Sequence, residues 1–196
     1  MIAADRLGAE QVALAGDAIA GVGGIAAPFE WLDQGSAGDL PFARIDPAAA
    51  RAALEGLIPG VDVVVQPRAG RARRLLVADM DSTMITIECI DELADYAGIK
   101  ARVAEVTEAA MRGELDFEAA LDARVALLRD LDAAVIDRCH AERVVLMSGA
   151  RELIRTMKAN GARCVLVSGG FTVFADRVAA EIGFDRALSN RLLMAG

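Results

Sequence analysis

Asp79 and Asp81 stand two residues apart at the end of an apolar run, Leu75-Leu76-Val77-Ala78, and Ser82 and Thr83 follow at once. Strand geometry repeats every two residues, so both carboxylates leave the backbone on one side, just past the strand end. Two carboxylates at one point can share the work of phosphoryl transfer, one attacking phosphorus while the other moves a proton. A carboxylate is a poor nucleophile toward a phosphate dianion because both are negative, so positive charge must be supplied first. Mg²⁺ is a hard cation that takes oxygen ligands, and Asp79 can offer it one carboxylate oxygen while aiming the other at phosphorus. In-line attack would then give an aspartyl-phosphate, with Asp81 protonating the leaving alcohol. The plainer reading of this DxDxT pattern is a polar turn, fixed by Ser82 and Thr83 bonding to backbone groups.

A second cluster, Ser168-Gly169-Gly170, follows another apolar run, Cys164 to Val167, and precedes a helical pattern. Backbone N–H groups and a helix N-terminus attract anions there, Ser168 adds a hydroxyl, and glycines let the backbone approach an oxygen closely. Alone this is an ordinary turn. Beside the carboxylates, on an adjoining strand of one sheet, it becomes a phosphate cradle.

The elements that must position these groups follow from periodicity and breakers. Four helical segments succeed the first motif, Cys89 to Tyr96, Lys100 to Arg112, Phe117 to Leu128 and Asp132 to Glu142, which predicts a helical bundle over about 86–146 inserted between strands. Ala150 to Asn160 and Phe171 to Ile182 read as helices, and Arg186 to Ser189 as a last short strand. The fold class is therefore α/β, a Rossmann-like parallel sheet, incomplete in strand number, over 71–196. Residues 1–70 read as a separate α+β unit: helix Ala9 to Ala20, strands Phe29 to Leu32 and Phe42 to Ile45, a helix from Asp46-Pro47 to Leu57, and strand Val61 to Gln66. With Met1 to Asp5 as a first strand this is a ferredoxin-like split βαβ plait, the pattern of ACT modules, suited to packing or to a homodimer.

Composition narrows the function classes. The 196 residues are 55% hydrophobic and 26% charged, enough for a sizeable core, and the formal net charge of −8 excludes a broad nucleic-acid or anionic-membrane surface. Arg71, Arg73 and Arg74 form a local basic cluster read as solvated linker. Cys89, Cys139 and Cys164 have no CxxC spacing and read as reduced thiols, which implies a cytoplasmic setting; His140 lacks companion ligands and reads as a helix-surface residue. No apolar stretch approaches the roughly 20 residues of a membrane span.

The stretches VADMDSTMITIECIDELA, FEAALDARVALL and VLVSGGF resemble the phosphoserine phosphatases of the haloacid dehalogenase superfamily, from about Leu75 to Arg191. The resemblance implies Asp79 as nucleophile and Mg²⁺ ligand, and Asp81 as general acid/base that also offers its backbone carbonyl to the metal. Ser168 and Gly169 would bind phosphate. Glu88 and Arg124 would read the ammonium and carboxylate of L-phosphoserine, with Phe117 an apolar residue near the substrate. A guanidinium in a largely apolar helix suits a carboxylate partner. The resemblance also implies a later Lys and an acidic GDGxxD-type loop, neither of which occurs before Gly196. The expectation is a truncated chain with weak turnover, since one missing electrostatic group commonly costs about 10²- to 10³-fold, and with an open apolar edge beside the Asp79 strand. Two other readings share these residues: a phosphatase or phosphotransferase for another small phosphomonoester, and a non-catalytic amino-acid-binding or dimerisation module.

Overall fold

The computed structural model describes residues 1–194. The chain divides into two compact units, Met1–Arg71 and Ala72–Gly196.

The first unit contains β1 (Ile2–Ala3), α1 (Ala9–Gly21), β2 (Ile25–Ala26), β3 (Glu30–Asp33), β4 (Ala37–Asp39), β5 (Phe42–Ala43), α2 (Pro47–Leu54) and β6 (Val61–Asp62). A four-stranded sheet runs β3-β4-β1-β6, and β2 pairs with β5 in a separate antiparallel ribbon. Asp46 caps α2 by accepting from the Ala48 N–H at 2.7 Å, and Pro47 opens the helix without losing a donor. Helices α1 and α2 bury Ala15, Ile19, Ala50 and Leu54 in a core shared with Ile58 and Val65.

Between the strands expected at Phe29 to Leu32 and Phe42 to Ile45 the chain forms a further strand, β4, with Gly38 inside it, opposite Trp31 on β3. The cause is steric. A Cβ at Gly38 would lie 2.3 Å from the Phe29 ring and 2.8 Å from the Glu30 carbonyl oxygen, so this glycine is what lets the hairpin close under the ring.

The second unit contains β7 (Leu75–Ala78), α3 (Cys89–Tyr96), α4 (Lys100–Met111), α5 (Phe117–Leu127), α6 (Ala134–Arg143), α7 (Ala150–Ala159), β8 (Arg163–Phe171), α8 (Thr172–Ile182) and β9 (Arg186–Asn190). The parallel sheet has the order β7-β8-β9, so among the described residues β7 has a strand partner on one edge only. Leu76, Ala78, Cys164, Leu166 and Ala187 belong to the core packed against α7 and α8; on α8 Phe174, Ala175, Val178, Ala179 and Ile182 recur at helical spacing. The neighbouring positions Leu75, Val77, Val167 and Leu188 are exposed. Helices α3 to α6 pack on one another between β7 and α7, and the segments entering and leaving them pair through an antiparallel bridge, Ile85 to Leu146.

Two expectations change here. The strand expected to stop at Val167 continues through Ser168-Gly169-Gly170 to Phe171, with a shift of register against β9 in between. His140, expected on the surface, is half-buried, because α6 already turns Ile136 and Cys139 inward and the fourth residue on shares that face; its ring stacks with Phe174 at a centroid distance of 6.4 Å. All three cysteines are buried free thiols, and no helix among the described residues is long and apolar enough to cross a membrane.

Gly38→Ala is expected to destabilise the protein by about 1–3 kcal/mol, the usual cost of overpacking. Urea unfolding of both proteins checks it; an unchanged midpoint would show that the β3–β4 hairpin has room the geometry denies.

Candidate active site

The parallel pairing of β7 with β8, Leu75 to Arg163 through Ala78 to Leu166, brings the two motifs to the same end of the sheet. How closely they meet is seen at Gly170, where a Cβ would sit 3.1 Å from Ser168 Oγ, 3.3 Å from Met80 Cε and 3.7 Å from Asp81 Oδ2. A cleft of about 190 Å³ opens there, lined by Asp79, Asp81, Glu88, Phe117, Arg124, Ser168, Gly169 and Gly170, with Ile90, Leu121 and Phe171. Every residue singled out in the sequence for catalysis, metal binding or substrate binding therefore lines one concavity.

The turn after Asp79 is held by backbone groups, not by its hydroxyls as expected. The Met80 carbonyl accepts from the N–H groups of Thr83, Met84 and Ile85, and the Ser82 N–H donates to the Ile87 carbonyl. Ser82 adopts φ +52°, a conformation unusual for a residue with a Cβ. Its hydroxyl is thereby free of the backbone and donates to Glu88 Oε1 at 2.6 Å.

The two aspartates are held differently. Asp79 is exposed, and its Oδ1 accepts from the Met80 N–H at 2.7 Å. Asp81 is half-buried, and its Oδ2 accepts from the Cys89 N–H at 3.0 Å, one of the free donors at the start of α3. Its Oδ1 is buried without any hydrogen-bond partner among the described residues. Burial pushes the Asp81 carboxyl up to about 6; the Cys89 N–H opposes the rise, and the charges of Glu88 and Asp79 add to it. Burial, with the Asp81 charge beside it, also pushes the Cys89 thiol far above its ordinary range, leaving it protonated and inert.

Glu88 and Arg124 approach the cleft from α3 and α5 without pairing to each other. Among the described residues Arg124 makes no ion pair, and its Nε donates to the Ala120 carbonyl one turn back at 3.2 Å. The rest of the guanidinium fork remains available to a carboxylate. Phe117, at the start of α5, lies over the Ser168-Gly169-Gly170 segment: a Cβ on Gly169 would meet its ring at 3.4 Å.

Asp79 and Asp81 offer hard oxygen donors, and the orphaned Asp81 Oδ1 fits a cation or a proton. Among the described residues no group of three or more His, Cys, Asp or Glu side chains converges to hold a metal. Two carboxylates suit Mg²⁺, which commonly keeps several waters and completes its shell with substrate phosphate.

Sequence reasoning missed three contributors. The Cys89 N–H could have been found, because the residue after Glu88 opens a helix and has no partner within it. The Ser82 to Glu88 bond depends on a left-handed turn that no residue type announces. Asn190, whose side chain reaches the Gly169 carbonyl, stands at the carboxyl end of a parallel strand, where ligand sites of open α/β sheets gather.

The raised Asp81 carboxyl links pH to stability. Between about pH 4 and pH 6 the folded protein keeps a proton that the unfolded chain has released, so this contribution is fully present below pH 4 and is lost as pH rises toward 6. Asp81→Asn removes the titration. In metal-free buffer the melting temperature of Asp81→Asn is expected to gain on that of the unsubstituted protein between pH 4.5 and pH 7. Parallel curves across that range would show that Asp81 titrates normally.

The comparisons with known proteins bear on the same segment. The family model "haloacid dehalogenase-like hydrolase" matches residues 76–195. A phosphoserine phosphatase of Archaeoglobus fulgidus is 47% identical over 135 residues, covering 68% of this chain and 39% of the relative. A solved phospho-aspartyl intermediate analogue of phosphoserine phosphatase is 37% identical with a TM-score of 0.56, covering 63% of this chain and 58% of that one. An unliganded probable phosphoserine phosphatase from Vibrio cholerae is 33% identical with a TM-score of 0.70, covering 98% of this chain and 58% of that one. The chain spans about half or less of the length of the curated relatives it matches. With a family model matched over more than half its length, and with two strand-end motifs meeting in one cleft, this chain belongs to the haloacid dehalogenase-like hydrolases.

Proposed function

We propose that this site serves the Mg²⁺-dependent hydrolysis of L-phosphoserine to L-serine and phosphate through an aspartyl-phosphate on Asp79. The observation that carries the reading is the cleft itself, which holds a carboxylate pair, an anion cradle, and a Glu88 and an Arg124 that make no ion pair among the described residues. Phosphoserine presents the complement of each: a phosphate, an ammonium and a carboxylate.

Asp79 is the nucleophile, because its Oδ1 is held by the Met80 N–H and its Oδ2 is left to attack. As the bond from the Asp79 carboxylate oxygen to phosphorus forms, giving an acyl phosphate, the bond from phosphorus to the serine oxygen breaks, and Asp81 delivers its proton to that oxygen. A water then attacks phosphorus, Asp81 takes a proton from it, and the acyl-phosphate bond breaks to release phosphate and restore Asp79. A carboxyl with a pKa near 6 suits both transfers near neutral pH. Bound between Asp79 and Asp81, Mg²⁺ would supply the positive charge that a carboxylate needs to approach a dianion. The Ser168 hydroxyl and the Gly169 N–H hold the phosphoryl oxygens, since such donors favour the added charge of the transition state, while the Gly170 N–H is taken up by Ser168 Oγ.

Recognition of the amino acid falls to the helices. Glu88, braced by Ser82, takes the ammonium, and Arg124 takes the carboxylate as a fork. Helices α3 to α6 act as a cap whose inner face carries these two charges, with Phe117 sealing the phosphate end. The Met1–Arg71 unit is an ACT-like plait: the strand order β3-β4-β1-β6 with α1 and α2 supports it, as does the likeness to the Vibrio cholerae structure over 98% of the chain. Three buried reduced thiols suit a cytoplasmic biosynthetic role.

Incubation with Mg²⁺ and ³²P-labelled L-phosphoserine should leave an alkali-labile label on the protein that Asp79→Asn abolishes. Beryllofluoride should bind with Mg²⁺ and only when Asp79 is intact. Arg124→Ala should weaken L-phosphoserine by at least tenfold while changing labelling by acetyl phosphate, which lacks the amino-acid groups, by less than threefold. Labelling that survives Asp79→Asn would reject the nucleophile. Equal losses for both donors would reject Arg124 as the carboxylate reader.

A further inference from the structure

The phosphate loop is held by a side chain for which the mechanism above has no use. Strands β8 and β9 pair in parallel through Val167 and Leu188 and resume pairing at Phe171 and Asn190, so four steps along β8 (171 − 167) match two along β9 (190 − 188). Ser168-Gly169-Gly170 therefore bulges out of the ladder and loses the inter-strand bonds that would have held it. The Asn190 side chain replaces one of them: its Nδ2 donates to the Gly169 carbonyl at 2.8 Å. A carbonyl can only accept, so the amide presents its nitrogen there.

The consequence passes along a single peptide unit. The Gly169 carbonyl and the Gly170 N–H belong to one planar trans peptide and point in opposite directions. Asn190 holds the first, and the second donates to Ser168 Oγ at 2.9 Å. That oxygen, in a side chain buried to 7% exposure at the cleft wall, is thereby occupied as an acceptor. Its own O–H remains as a donor toward the cleft. Without Asn190 the Gly-Gly peptide is free to turn, since neither residue has a Cβ to restrain it. A turned peptide would withdraw the Gly170 N–H and let the Ser168 hydroxyl rotate back onto the protein.

We propose that Asn190 is a positioning residue for oxyanion binding: it fixes the Gly169–Gly170 peptide and so keeps the Ser168 hydroxyl aimed at a phosphoryl oxygen in the cleft. The proposal rests on the phosphatase reading and adds to it a residue outside both motifs.

The test is titration of the full chain with inorganic phosphate in the presence of Mg²⁺, by calorimetry. Asn190→Ala should weaken phosphate about tenfold, the worth of one well-placed hydrogen bond to an anion. In a Ser168→Ala background the same change should cost less than twofold, because the hydroxyl it positions is gone. L-Serine, which leaves the phosphate loop empty, should bind Asn190→Ala within twofold of the unsubstituted chain. If Asn190→Ala fails to fold, Asn190→Asp is the variant read, since it keeps the shape and offers the carbonyl no donor. A folded Asn190 variant with phosphate affinity within twofold of the unsubstituted chain overturns the proposal, as do equal losses in the two backgrounds. An unsubstituted chain that binds neither phosphate nor beryllofluoride overturns the phosphatase reading and this proposal together. Binding by that chain that is indifferent to Asn190 overturns this proposal alone.

Discussion

The four-residue parallel register between β7 and β8 is the constraint on which the site depends. It joins Ala78 to Leu166 across 88 positions of sequence (166 − 78), and Asp79, Asp81, Ser168 and Gly169 lie just beyond that pair. One step of slippage would turn Asp79 and Asp81 to the opposite face of the sheet, because side chains alternate along a strand. The register is protected by burial, since Leu76, Ala78, Cys164 and Leu166 belong to the core under α7 and α8. Packing on one side of the sheet thus specifies the chemistry at its end.

The cleft also carries a cost that packing must offset. Asp79, Asp81 and Glu88 place three carboxyl groups around a small volume, and Asp81 is buried far enough that ionising it is unfavourable. The Cys89 N–H at the start of α3 recovers part of that loss, as a free helix-end donor near a carboxylate does. What remains uncompensated is Asp81 Oδ1. A fold that held only this unit's stability in view would have put an apolar side chain there. An unpaired buried oxygen suits a proton or a cation and costs stability, so a site of this kind sets chemistry against packing at one atom.

The cleft's lining was legible in the sequence to the extent that it resides in contiguous motifs. Asp79, Asp81, Ser168 and Gly169 follow apolar runs that announce strands, Glu88 and Arg124 were singled out through a resemblance to a known family, and all six line the cleft. The helices of the second unit followed from apolar spacing and glycine stops, to within a few residues. Less was legible where a contact replaced a pattern. Gly38 reads as a turn residue, and only the Phe29 ring above it explains a strand. The bulge at Ser168-Gly169-Gly170 looks like a strand end, and its continuation to Phe171 depends on pairing with Asn190, which lies on another strand. Ser82 reads as a turn former, whereas its left-handed backbone turns the hydroxyl toward Glu88. In each case the deciding neighbour lies outside the window in which periodicity operates.

Those contacts also show how the site divides its labour. The sheet ends carry Asp79, Asp81 and the Ser168-Gly169-Gly170 loop, which meet in one cleft. The groups that would distinguish one phosphate ester from another sit on α3 and α5, inside the helical insert between Ile85 and Leu146. Contacts that bind insert to sheet at the cleft include the Ser82 hydroxyl to Glu88, the Ser82 N–H to the Ile87 carbonyl, the Cys89 N–H to Asp81, and the Phe117 ring against Gly169. The first three of these start from the turn that follows Asp79. A movement of α3 away from the sheet would therefore disturb the Asp81 carboxyl and Glu88 together. Through that turn, the placing of Glu88 is physically coupled to the environment that sets the Asp81 carboxyl.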